Sequence, residues 1–214
     1  MFIDKDEFMQ LMIKKEDLCS ELKQYLEDGK SFKMLRHPLI YAVPYHESEN
    51  AMLNYRLKLK QEELQHHLDR NELALYVFTH ERPWRLDAFT KICERLTNEE
   101  YWKLLGETWV DSENIWANLK TWKILLTAER PLRQEFMSKQ DRKLLDRLPQ
   151  KLTVYRGCII GKNHDGLSYT LNRDVAVKLG NRYNKKGDVL KRDIDKNQIF
   201  AYIGERDEAE VIIL

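Results

Sequence analysis

Three stretches decide how this chain is read: Leu152-Thr153-Val154-Tyr155-Arg156-Gly157, Gly166-Leu167-Ser168-Tyr169-Thr170 and Glu208-Ala209-Glu210-Val211-Ile212-Ile213-Leu214. In the first, Leu152, Val154 and Arg156 alternate with Thr153 and Tyr155, the two-residue period of a strand. Gly157 ends that run or lets another group come close to the backbone. An arginine leaving a strand beside a glycine is suited to clamp a phosphate, because its planar fork gives paired, charge-assisted hydrogen bonds. The second stretch reads as a shorter strand, with Ser168 and Thr170 on one face and Tyr169 on the other. Leu171-Asn172-Arg173-Asp174-Val175-Ala176 then opens a helix capped by Asn172 or Thr170. Ile199-Phe200-Ala201-Tyr202-Ile203 is a further strand, and the polar turn Glu205-Arg206-Asp207 leads from it to the third stretch. There the spacing of Glu208 and Glu210 turns both carboxylates to one face of a strand, at the entry to an apolar run. Such a pair is easier to keep when a cation or hydrogen-bond donors lie opposite.

Outward from this tail, glycine use changes. Residues 1–150 contain only Gly29 and Gly106, whereas the tail contains Gly157, Gly161, Gly166, Gly180, Gly187 and Gly204. Helices disfavour glycine and turns between strands use it. The reading is therefore an α+β chain: a helical region over 1–150, then a strand-rich β region over 151–214. The boundary falls near Leu148-Pro149-Gln150, where proline stops the preceding helix.

Within the helical region, Phe8, Leu11, Met12, Leu18, Leu22 and Tyr25-Leu26 recur at helical spacing, with Gly29 as a stop signal. The two prolines of His37 to His46 predict an ordered loop or extended stretch. Ser48-Glu49-Asn50 offers a cap for a long helix over about Ala51 to Asp69. Leu73 to Phe78 fits a helix or a short strand equally well. All five tryptophans fall between Trp84 and Trp122. Trp109, Trp116 and Leu119 share one helical face by spacing, and Gly106 stands as an interruption between Trp102 and Trp109. With Leu104, Leu105, Ile115, Leu125 and Leu126 among them, the tryptophans predict an aromatic core with bonded indole N–H groups rather than a stacking surface for a ligand. Pro131 opens a further helical stretch, Leu132 to Leu148.

Composition narrows the function classes. With 214 residues, 43% hydrophobic and 33% charged, the chain reads as a globular protein with a sizeable core. A net charge of +1 gives no overall electrostatic case for nucleic acid or for a membrane surface. No apolar run is long enough for a membrane span. The acidic start Asp4-Lys5-Asp6-Glu7 is unlike a signal peptide. Cys19, Cys93 and Cys158 show neither metal-ligand spacing nor a disulfide framework, which suits a reducing, cytoplasmic setting. Glu62-Glu63 and His66-His67 form i,i+4 pairs on a helix. With no third ligand nearby in sequence they read as a solvated face, and no metal is expected.

Taken in order, the Tyr-Arg-Gly, Ser-Tyr-Thr and Glu-Ala-Glu pieces resemble the arginine, serine and glutamate motifs of the ADP-ribosyltransferase superfamily, in its Arg-Ser-Glu branch. The resemblance covers about the last 60 residues and implies a small, mostly antiparallel β core there. It implies an enzyme that breaks the nicotinamide–ribose bond of NAD, its substrate, and passes ADP-ribose to a macromolecular acceptor, as bacterial and phage mono-ADP-ribosyltransferases do. By the match, Arg156 holds NAD phosphate and Gly157 offers backbone contacts to the nicotinamide. Ser168 orients the catalytic glutamate, Thr170 supports that wall, and Glu210 is the glutamate, engaging the ribose 2′-hydroxyl. Glu208 meets the acceptor, and a glutamate there points to protein arginine. The chain departs from the family where a phenylalanine usually packs on nicotinamide: Leu179 stands at that position, with Tyr183 as a substitute. The short turn before Glu208 shifts target recognition toward the helical region. With water as acceptor the same site is an NAD glycohydrolase. A weak member binds a partner or nucleotide without turnover.

Overall fold

The computed structural model describes residues 9–11, 13–113, 115–159, 161–182, 187–204 and 208–214. The chain forms two compact units, Met1–Glu94 and Arg95–Leu214. It is an α+β protein, and among the described residues every strand pairing is antiparallel. The division of packing lies at Glu94/Arg95, whereas the glycine content changes near residue 150. The helices after residue 95 have their apolar faces against the strands that follow them, so composition and packing divide the chain at different places.

In the first unit, helix α1 (Ser20–Lys23) precedes a meander of β1 (Leu26–Asp28), β2 (Lys33–His37) and β3 (Ile40–Pro44). Helices α2 (Asn50–Asp69), α3 (Leu73–Thr79) and α4 (Arg85–Ile92) follow. The helical spacing through Leu26 overstates α1. Leu26 pairs with Leu35 in the ladder instead, and Gly29 sits in the turn, where an added Cβ would lie 2.4 Å from the Phe32 carbonyl oxygen. The stretch from His37 to His46 is extended, as its prolines require, and Pro38-Leu39 turns β2 into β3. Leu18, Leu22, Leu35, Leu39, Ile40, Leu53 and Leu57 form the core of this part. The long helix begins one residue earlier than expected. His46, rather than Ser48, caps the single turn that precedes it by accepting from the Ser48 N–H. Asn54 of α2 binds the Glu16 carboxylate, the Asp17 carbonyl and the Cys19 N–H, which holds the segment before α1 extended. His67 lies between Glu72 (2.9 Å) and Glu63 (3.9 Å), an ion-pair arrangement on the helix surface.

In the second unit, α5 (Asn98–Asp111), α6 (Leu119–Leu126) and α7 (Lys139–Arg147) precede β4 (Lys151–Ile159), β5 (Ser168–Thr170), α8 (Arg173–Gly180), β6 (Gly187–Asp195), β7 (Ile199–Ile203) and β8 (Glu210–Ile213). The strands form one sheet in the order β6-β4-β5-β8-β7. A capping box between Thr97 and Glu100 starts α5. Gly106 does not interrupt α5. Its missing side chain admits the Phe136 carbonyl, which an added Cβ would meet at 2.1 Å. Trp102, Trp109 and Trp122 are buried, with Trp109 edge-on to Trp122 at 4.9 Å and Phe136 edge-on to Phe200 at 5.3 Å. This is the expected aromatic core, but it holds three of the five tryptophans: Trp84 is half-buried in the first unit, and Trp116 is exposed. The helix ends at Asp111, so Trp116 lies on the separate turn Ile115–Asn118, 43% exposed. The stretch after Pro131 is likewise broken: Leu132 takes a left-handed φ of 67°, and Ser138 caps a new helix by accepting from the Asp141 N–H.

The edge strand β7 is buried at every residue. An edge strand needs cover for its unpaired backbone groups. Met137 Sδ accepts from the Tyr202 N–H, and Asp141 Oδ1 accepts from the Gly204 N–H. On β4, Val154, Arg156 and Cys158 are buried and share a face, as strand alternation dictates. Among the described residues no helix is long and apolar enough to cross a membrane.

Candidate functional site

The motif residues meet where the sheet is most weakly joined. β4 pairs with β6 along its full length, from Lys151 opposite Asp195 to Ile159 opposite Gly187. Among the described residues it joins β5 at the single pair of Tyr155 opposite Thr170. β5 continues into β8, with Ser168 opposite Ile212 and Thr170 opposite Glu210. The sheet is thus two ladders, β6-β4 and β5-β8-β7, joined at one pair, and the Arg, Ser-x-Thr and Glu pieces all border that seam.

Arg156 lies on the inward face of β4 and is 9% exposed. A buried guanidinium needs acceptors around it. Nε and Nη2 donate to the Asn163 carbonyl at 3.1 and 3.0 Å, and Nη1 donates to the Ser168 carbonyl at 2.6 Å. Three of its five N–H groups are committed in this way. Among the described residues, one N–H on each terminal nitrogen has no partner, which leaves it for an incoming anion. Burial lowers its affinity for the proton, while Tyr169, Cys158, Asp165 and Glu210 favour the charged form. Gly166 lies flat against the guanidinium, where an added Cβ would fall 1.9 Å from Nη2. Arg156 therefore braces the β4–β5 loop as well as facing the seam.

Gly157 does admit a close backbone approach, and the group that approaches is α8. A Cβ there would be 2.0 Å from the Ala176 carbonyl and 2.5 Å from the Gly180 nitrogen. Asn172 caps α8 by accepting from the Asp174 N–H. Thr170 is buried. Its hydroxyl donates to the Glu208 carbonyl and accepts from the Asn172 N–H, tying the turn before β8 to the start of α8. Ser168 supplies its carbonyl to Arg156 and shares the β5 face with Thr170. Leu179 is half-buried on α8, and Tyr183 lies outside the described residues.

The two glutamates stand differently from their spacing. β8 begins at Glu210, and Ala209 takes a left-handed φ of 45°. The alternation that would align Glu208 with Glu210 is broken at that residue. The Glu208 side chain meets Arg182 at 3.5 Å. The Glu210 carboxylate, opposite Thr170 on β5 and Ile203 on β7, accepts from the Trp109 indole N–H at 3.2 Å. Trp109 lies in the core with its indole bonded, as its apolar neighbours in sequence predict. The partner's identity depends on α5 reaching a strand 101 residues away, which no local pattern encodes.

Nearby, the Trp116 indole donates to Asp165 at 2.9 Å, which holds the Asp165 carboxyl below its ordinary range, and the pair fixes the loop past Asn163. Two concavities of about 420 Å³ lie elsewhere in this unit. One is lined by Lys151, Thr153, Asp193 and Gln198, the other by Glu99, Lys103, Glu135 and Arg142. Neither is lined by Arg156, Ser168 or Glu210.

Compared with protein-family models, with curated proteins and with solved structures, the chain matches none of them.

Proposed function

We propose that the unit Arg95–Leu214 binds NAD at the β4–β5 seam, breaks its nicotinamide–ribose bond and passes ADP-ribose to a protein acceptor. One observation carries this reading. Arg156 donates to the Ser168 carbonyl, and two residues further along β5 Thr170 donates to the Glu208 carbonyl and pairs with Glu210, so three stretches far apart in sequence meet at that seam. As the nicotinamide leaves, the ribose carbon gains positive charge. A carboxylate held beside the sugar stabilises that charge without having to reorganise. Glu210 takes this role, oriented by the Trp109 indole. The uncommitted Arg156 N–H groups take NAD phosphate. Thr170 holds the turn that presents Glu208 to the acceptor, which by the family resemblance is an arginine side chain in a cytoplasmic protein.

A second outcome, hydrolysis, is favoured by the Glu208–Arg182 pair. An acceptor guanidinium must displace Arg182 to reach Glu208, whereas water need not. Labelled NAD incubated with the full chain and a cell lysate separates the two. Label on a lysate protein with nicotinamide released supports transfer, and nicotinamide release with free ADP-ribose supports hydrolysis. Absence of nicotinamide release in both arms overturns the proposal.

A further inference from the structure

The sheet brings together three further side chains that sequence spacing keeps apart. Cys158 on β4 is directly opposite Asp188 on β6. Directly opposed residues project to the same face, with Cβ atoms about 4.5–5.5 Å apart. His164 arrives from the β4–β5 loop, and its place is set by its neighbours. The Asn163 carbonyl accepts from Arg156 and the Asn163 side chain accepts from the Ile159 N–H, while Asp165 is held by Trp116. The Cys158 sulfur, an imidazole nitrogen of His164 and a carboxylate oxygen of Asp188 all lie within 4.8 Å of one another.

We propose that Cys158, His164 and Asp188 form a binding site for a zinc ion. One thiolate, one imidazole and one carboxylate are the donor types that Zn²⁺ takes, at about 2.0–2.3 Å in tetrahedral geometry. Ligand atoms of such a site stand about 3–4 Å apart, so a closure of roughly 1 Å completes it. His164 and Asp188 are exposed and Cys158 is buried, so the sulfur forms the floor and the open side leaves the fourth position to water. The ion clips β4, β6 and the loop that wraps Arg156 into one piece. The site stands apart from the NAD reading, since it needs neither nucleotide nor Glu210.

The test uses Co²⁺ and Zn²⁺ alone on the reduced, chelator-treated full chain. Co²⁺ is expected to give a thiolate charge-transfer band in the near ultraviolet at one equivalent, and Zn²⁺ to abolish it by displacement. Cys158→Ser removes the band. His164→Ala alters an exposed side chain, so the fold is retained, and Co²⁺ affinity falls at least tenfold. Asp188→Asn does the same. Circular dichroism of each variant shows whether it is folded. A folded wild-type chain without the thiolate band overturns the proposal, as does a band of unchanged affinity in both His164→Ala and Asp188→Asn.

Discussion

Replacing Trp109 by phenylalanine keeps an aromatic ring in the core and removes the indole N–H that reaches Glu210. The Trp109 indole donates to Glu210 Oε1 at 3.2 Å from a side chain that is 2% exposed. A hydrogen bond to a charged group contributes about 1.5–3 kcal/mol. The ring swap also shrinks a residue packed edge-on against Trp122, which adds a cavity cost. Trp109→Phe is therefore expected to lower unfolding stability by about 2–3 kcal/mol. Glu210→Gln leaves a neutral acceptor for the same indole and is expected to cost less, about 1 kcal/mol. The double variant isolates the contact: the single changes should not add, with a coupling of about 1 kcal/mol or more. Urea unfolding of the four proteins gives these quantities. In turnover, loss of the indole leaves Glu210 less well oriented, so nicotinamide release should fall about tenfold with little change in NAD affinity. Additive stability changes, with turnover of Trp109→Phe at the wild-type level, would refute the idea that this indole positions the glutamate.

Three other outcomes follow from named contacts. Gly166→Ala sets a Cβ 1.9 Å from the Arg156 guanidinium, which is held on both sides by carbonyls. It should destabilise the second unit by about 2 kcal/mol by overpacking, and a change below half that in urea unfolding would contradict the bracing role. Burial lowers the proton affinity of His37 and His80, against the opposing pull of Glu21 on His37 and of the Tyr76 carbonyl on His80. Because both are depressed in the folded chain, their contribution is full above the ordinary histidine range. It is lost as pH falls below about 6.5, so the unfolding midpoint of the first unit should fall between pH 7.5 and 5.5, and a flat midpoint would contradict it. Trp84 is the only tryptophan of residues 1–94 and is the fluorescence probe for that transition. Glu208→Gln should impair transfer to protein more than hydrolysis of NAD, and equal loss of both would count against an acceptor role.

Legibility in the sequence followed how local each determinant is. The strands β4, β5, β7 and β8 were readable because alternation and short apolar runs are set by neighbours in the chain. The helix after Thr170 was readable for the same reason, since Asn172 caps it with its own side chain. The first helix was not, because Tyr25 and Leu26 fit a helical face equally well until Leu35 offers a ladder. The unit boundary was hidden because glycine content records turns rather than packing partners. At the candidate site, the strand positions of Arg156, Thr170 and Glu210 could be read from their flanks. The alignment of Glu208 with Glu210 failed at Ala209, an ordinary residue whose left-handed φ nothing in its type announces. Trp109 and the grouping of Cys158, His164 and Asp188 depend on long-range closure of the sheet, which leaves no spacing to read.

The central claim is that Glu210 works on NAD. Its most direct test is nicotinamide released from NAD by the purified full chain beside Glu210→Gln, with both proteins shown to be folded by circular dichroism. The account predicts release by the wild-type chain and a loss of at least a hundredfold in the variant, with NAD still bound. Equal release by the two proteins, or no release by either, would contradict it.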